Sequence, residues 1–101
     1  MVRILLLAGA IALCTTTPAD ALDDREFAKL IEQCAACHGV DGIAKDVEVP
    51  DLAGQHDVYL FNQLQHFKSG RRPHKEMRYM SRHLSEPEMM AIAQYYANMK
   101  R

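Results

Sequence analysis

The sequence predicts an all-α domain of three to four helices behind a short apolar leader, and three observations carry that prediction. Apolar residues recur at helical spacing in separate stretches of the chain, as expected of helices that each bury one face. Helix-starting and helix-stopping residues flank those stretches. Little beyond the leader alternates with period two, so strands are not expected.

The leader comes first. Arg3 precedes an apolar run from Ile4 to Leu13, followed by Thr15, Thr16, Thr17 and Pro18 and then by Ala19, Asp20 and Ala21. A charged start, a short hydrophobic core and a small-x-small ending are the order of an export signal. Residues 1–21 are therefore expected to be a signal helix, cleaved after Ala21, and residues 22–101 the mature domain, periplasmic or otherwise exported. A retained anchor helix is the alternative, but the run is short for a membrane span. A lipid anchor on Cys14 is opposed by bulky Leu13, where a small residue is wanted.

The first helix of the domain is expected to open at Asp23, with Glu26 placed for a capping box. Phe27, Leu30, Ile31 and Cys34 follow at i, i+3, i+4 and i+7. Gly39 and Gly42 break the pattern, and the stretch to Gln55, which contains Pro50, reads as an extended loop. A second helix is expected from about Asp57 to Ser69, with Leu60, Phe61, Leu64 and Phe67 as its buried stripe and Gly70 ending it. A basic loop with Pro73 comes next. The last helix starts at Ser85, with Glu88 at its third position and Pro87 in its first turn, and Met89, Ile92, Ala93 and Tyr96 share a face.

A domain of about 80 residues is short for a self-sufficient core, so a large apolar prosthetic group would help to hold it together. Charge restricts the partners. Twelve basic against 13 acidic residues leave the chain at −1, which argues against general nucleic-acid binding. The charges are segregated: residues 22–57 hold 9 acidic and 3 basic residues, and residues 58–84 hold 6 basic and 1 acidic. Lys68, Arg71, Arg72, Lys75, Arg78 and Arg82 can form one basic surface suited to an acidic protein patch, or simply a solvated loop.

Loss of the leader removes Cys14 and leaves Cys34 and Cys37. Cys34-Ala35-Ala36-Cys37-His38 has the C-x-x-C-H form that attaches haem c. Two thiols about one helical turn apart can each add to a vinyl group on one porphyrin edge, and the adjacent His38 then serves as proximal iron ligand. A Cys34–Cys37 disulfide would close a tiny loop and stabilise little. A thioredoxin-like couple wants a βαβ setting, and zinc wants a second ligand pair.

Beyond that motif, the runs CAACHGVDG, PDLAGQ, YLFNQLQHFKSGRR and EMRYMSRHLSEPEM make the mature chain similar to the class I cytochromes c. The likeness is to a single haem domain of the periplasmic di-haem cytochromes c. The resemblance implies a small cytochrome c fold in which the first and last helices cross and a loop before the last helix brings a methionine to the distal side of one covalently bound haem. Counted seven residues back from Leu84, that ligand is Met77, with Met80 as runner-up and then a wall residue. Pro50 matches the proline whose carbonyl receives the proximal histidine's other N–H, a contact that orients the ring; a plain loop proline is the alternative. Leu52, Tyr59, Leu60, Leu64 and Ile92 are candidates for the haem pocket or for ordinary core. His56, His66, His74 and His83 are expected in surface or capping roles.

The implied function is single-electron transfer between redox-partner proteins, with iron held by His38 and Met77, rather than catalysis. The alternatives are a cytochrome subunit of a larger dehydrogenase, such as a flavoprotein that oxidises sulfide, or a haem sensor or peroxidase with a labile distal ligand. No membrane span is expected after signal cleavage. One haem domain would gain an internal haem-to-haem path only by pairing with another copy.

Overall fold

The computed structural model describes residues 2–13 and 22–101. Four helices make up the described domain: α1 (Asp24–His38), α2 (Asp57–Ser69), α3 (Lys75–Ser81) and α4 (Glu86–Ala97). No strand occurs among the described residues.

Two expectations need correction. Residues 2–13 are exposed and carry no helix, where a signal helix was expected. A run this short is marginal as an isolated helix in water, whatever its hydrophobicity. The expected cleavage point after Ala21, like Cys14, lies outside the described residues. The basic loop between Gly70 and Ser85 is also not wholly irregular, because α3 occupies its middle.

The helix ends follow local chemistry. Asp23 caps α1 by accepting the Arg25 N–H at 2.8 Å. This cap is one-sided, without the expected return bond from Glu26. Gly70 ends α2 in the left-handed conformation at φ 82°. Ser85 and Glu88 form the reciprocal box expected at the start of α4, with bonds of 3.2 and 2.9 Å. The caps at Asp23 and Ser85 satisfy backbone N–H groups that a helix leaves without partners at its start, and the Gly70 N–H donates to the Phe67 carbonyl at the end of α2.

The core is built on α4. Met89, Ile92, Ala93 and Tyr96 are buried with Ile31 of α1, Leu60 of α2 and Leu84, and Phe27, Leu30, Cys34, Leu52, Phe61, Leu64 and Met99 pack around them. Full burial of a side chain such as Ile92 or Met89 contributes about 1.5–3 kcal/mol. Helix α2 packs against both α3 and α4. Contact between α1 and α4 includes the Phe27 and Tyr95 rings, edge to face at 5.7 Å. The loop after α1 is tied down by backbone bonds: Leu52 and Ala53 donate to the Gly42 carbonyl, and Gly54 donates to the Tyr96 carbonyl at 3.0 Å.

Candidate haem site at the end of the first helix

Helix α1 runs unbroken through Cys34, Ala35, Ala36 and Cys37 to His38. The two alanines favour that continuation. Positions i and i+3 share a face, so both thiols project from the same side of the last turn. Cys34 is half-buried, Cys37 is exposed, and no disulfide joins them. Burial pushes the Cys34 thiol above its usual range, although a bond involving its own backbone opposes the shift.

The helix stops at Gly39, whose φ is 86°. A Cβ there would lie 2.2 Å from the Ile43 carbonyl oxygen, so only glycine permits this departure. The turn sends the chain into the loop that returns Pro50 to His38.

His38 is 7% exposed, and its Nδ1 lies 2.8 Å from the Pro50 carbonyl oxygen. A carbonyl can only accept, so Nδ1 carries the proton and donates. That tautomer leaves the lone pair on Nε2, the atom a metal would take. Two unpaired thiols one turn apart, beside an imidazole held in the ligating tautomer, are a donor set that fits a covalently attached haem. Cys34, Cys37, His38 and Pro50 are thus brought to one place.

Met77 and Met80 come from a different element, α3, and both are half-buried. The Met77 backbone is held at both polar groups. Its N–H donates to Nδ1 of His74 at 3.2 Å, and its carbonyl accepts the Ser81 hydroxyl at 2.7 Å. Among the suggested pocket residues, Leu60 and Ile92 are buried and Leu52 and Leu64 pack against the core, whereas Tyr59 is 47% exposed.

Histidine placement follows local geometry. His74 caps α3, and His56 occupies the cap position of α2 without a side-chain bond. His66 is half-buried and His83 exposed.

Three features escaped the reading of the sequence. Ser81 is 0% exposed; the only signal for it is its place four residues after Met77, where a serine hydroxyl can reach back to a carbonyl. Lys68 donates from Nζ to the Leu84 carbonyl at 2.5 Å, which ties the end of α2 to the turn before α4. Tyr96 is 1% exposed and its hydroxyl has no hydrogen-bond partner among the described residues. Burial pushes that hydroxyl's pKa well up, with Cys34 and Tyr95 adding to the effect.

Several basic side chains are engaged locally. The Arg72 guanidinium lies over the Phe67 ring at 4.6 Å and donates to Gln63 at 2.7 Å. The Arg82 guanidinium lies over Tyr79 at 3.7 Å. Such contacts fix where the charges sit without neutralising them.

The profile of the cytochrome c family matches residues 25–100. Cytochrome c4 of Pseudomonas aeruginosa is 40% identical over 67 residues, which cover 66% of this chain and 33% of the relative. The cytochrome subunit of sulfide dehydrogenase from Chlorobaculum tepidum is 30% identical over 102 residues, which cover 96% of this chain and 92% of that one. Among solved structures, reduced recombinant cytochrome c4 from Pseudomonas stutzeri superposes with a TM-score of 0.62 at 27% identity, covering 76% of this chain and 50% of the other. The chain spans about a third to a half of the length of the cytochrome c4 relatives it matches. With the family profile over most of its length and a relative matched nearly end to end, the chain belongs to the cytochrome c family, whose cofactor is covalently bound haem c.

Proposed function

We propose that this protein is an exported carrier of single electrons, holding one haem through Cys34, Cys37 and His38 and closing the far side of the iron with Met77. The bond from His38 Nδ1 to the Pro50 carbonyl carries the proposal, because it fixes a metal-ligating tautomer beside two unpaired thiols. Bound there, haem supplies a reversible one-electron iron couple.

The chain's own residues do the rest. Cys34 and Cys37 anchor the porphyrin edge, and Pro50 holds the His38 ring while making it a stronger donor. Thioether ligation by Met77 would favour the ferrous state and raise the reduction potential, and an apolar surround would push the same way. His38 and Met77 together would hold the iron through side chains alone and leave it no place for a substrate, which suits a carrier rather than a catalyst. Arg3 and the apolar run after it, as an export signal over residues 1–21, would deliver the chain to the compartment where such attachment takes place in bacteria.

The basic residues of 58–84 are exposed, and a surface formed by them would suit an acidic patch on a redox partner. Charge reversal at Arg71 and Lys75 should slow reduction by that partner and flatten its salt dependence. Unchanged kinetics would remove the docking role.

The ferric spectrum tests the ligand set. A six-coordinate low-spin signal is expected, and a high-spin signal would sink the His38/Met77 pair. A second reading has one specific observation behind it: the Chlorobaculum tepidum dehydrogenase subunit is matched over 92% of its length. On that reading the chain is the cytochrome subunit of a larger dehydrogenase, and it would co-purify with a large catalytic subunit.

A further inference from the structure

We propose that Ser81 and His74 are positioning residues that clamp the main chain of Met77, so that its sulfur is presented to the iron by a preformed arm and leaves it slowly. The inference rests on Met77 being the distal ligand.

Helix α3 has seven residues, too few to persist by its own backbone bonds. What holds it is therefore decisive for anything it carries. From the N-terminal side, Nδ1 of His74 accepts the Met77 N–H at 3.2 Å, and the His74 ring meets the Phe67 ring of α2 edge to face at 5.9 Å. From the C-terminal side, the Ser81 hydroxyl donates to the Met77 carbonyl at 2.7 Å and approaches the Arg78 carbonyl at 3.4 Å. The arm is also closed at its base. Leu84 N–H donates to the Ser81 carbonyl at 3.1 Å, and the Leu84 carbonyl receives Nζ of Lys68 from α2.

A serine that bonds back to the carbonyl four residues earlier is a common helix feature and often does nothing more. Two facts set Ser81 apart. It is 0% exposed, although serine is mostly a surface residue, so its hydroxyl is desolvated and depends on the bond it makes. It also acts on the same residue as His74, so both backbone polar groups of Met77 are taken by side chains. With its main chain fixed, Met77 retains only side-chain freedom, and less entropy is lost in keeping its sulfur in place.

The test uses the haem-loaded protein and the rate at which cyanide takes the distal position of the ferric form, which is limited by departure of the methionine. Ser81→Ala and His74→Ala should each speed cyanide binding at least tenfold and weaken the methionine-to-ferric-iron absorption band. Ser85→Ala, which removes a cap on α4 and touches neither backbone bond of Met77, is the comparison for a loss of stability alone. Acceleration by Ser85→Ala equal to that of Ser81→Ala would overturn the clamp. Should Ser81→Ala fail to fold, His74→Ala decides at an exposed site, and an unchanged rate there overturns the proposal. Met77→Leu and Met80→Leu separate the clamp from the ligand assignment. Survival of the band in Met77→Leu with loss in Met80→Leu overturns the ligand and the clamp together, whereas loss in Met77→Leu with an unaltered rate in Ser81→Ala overturns the clamp alone.

Discussion

Nδ1 of His38 donates to the carbonyl oxygen of Pro50 across 2.8 Å, joining the last residue of α1 to the loop 12 positions further along the chain. One bond thereby selects the tautomer of the imidazole, sets its orientation and makes Nε2 a stronger donor. The loop that supplies the carbonyl is held by the bonds of Leu52 and Ala53 to Gly42.

Loosening that bond should move the reduction potential. Pro50→Gly keeps a carbonyl at the position but frees the backbone, so His38 becomes a poorer donor and the ferric state loses support. The midpoint potential is expected to rise by up to ~60 mV, the equivalent of a tenfold change for a one-electron couple. Redox titration with optical detection measures it, and a fall would contradict the role given to Pro50.

Gly39→Ala should be far more damaging than Gly70→Ala. At Gly39 the new Cβ meets the Ile43 carbonyl oxygen at 2.2 Å, whereas at Gly70 it meets the flexible end of Arg78 at 3.0 Å. A loss of at least ~2 kcal/mol is expected at Gly39 and about 1 kcal/mol at Gly70. Denaturant unfolding of the two variants ranks them, and equal losses would refute the steric account.

Ser85→Ala removes one half of the capping box on α4 and should cost about 1 kcal/mol with the ferric spectrum unaltered. Thermal unfolding followed alongside the spectrum checks both parts.

Much of the domain was legible because its signals are local. Asp57, Gly70, Ser85, Pro87 and Glu88 mark the bounds of α2 and α4, and the spacing of Met89, Ile92, Ala93 and Tyr96 marks a buried face. Helix α3 was not legible, for physical reasons. It lies between Gly70, Pro73 and the next cap, has no apolar stripe beyond Met77 and Met80, and is capped by His74, a residue type not ordinarily read as a cap. At the site, the cysteine pair and His38 stand together in the sequence. The Pro50 contact depends on a loop closure that periodicity does not encode, and was expected from family resemblance alone. The Ser81 and Tyr96 hydroxyls are buried by tertiary packing, which no local pattern reports.

Tyr96 gives the protein an alkaline limit. Its hydroxyl is pushed up first by burial, and in the folded state it stays neutral where an unfolded tyrosine with a pKa near 10 ionises. The stabilising contribution is therefore constant below about pH 10 and is lost as pH rises towards the folded-state value, at about 1.4 kcal/mol per pH unit. Tyr96→Phe should abolish that slope. Unfolding free energies measured between pH 9 and 12 for the two proteins check it, and parallel curves would exclude Tyr96 as the cause.

The most direct test of the central claim is an intact and peptide-level mass spectrum of the protein recovered from the exported fraction of a bacterium that attaches haem. The expected result is a mature chain beginning at Leu22, with the mass of one haem on the peptide that contains Cys34 and Cys37. A chain without haem, with those two cysteines present as free thiols or as a disulfide, would contradict it.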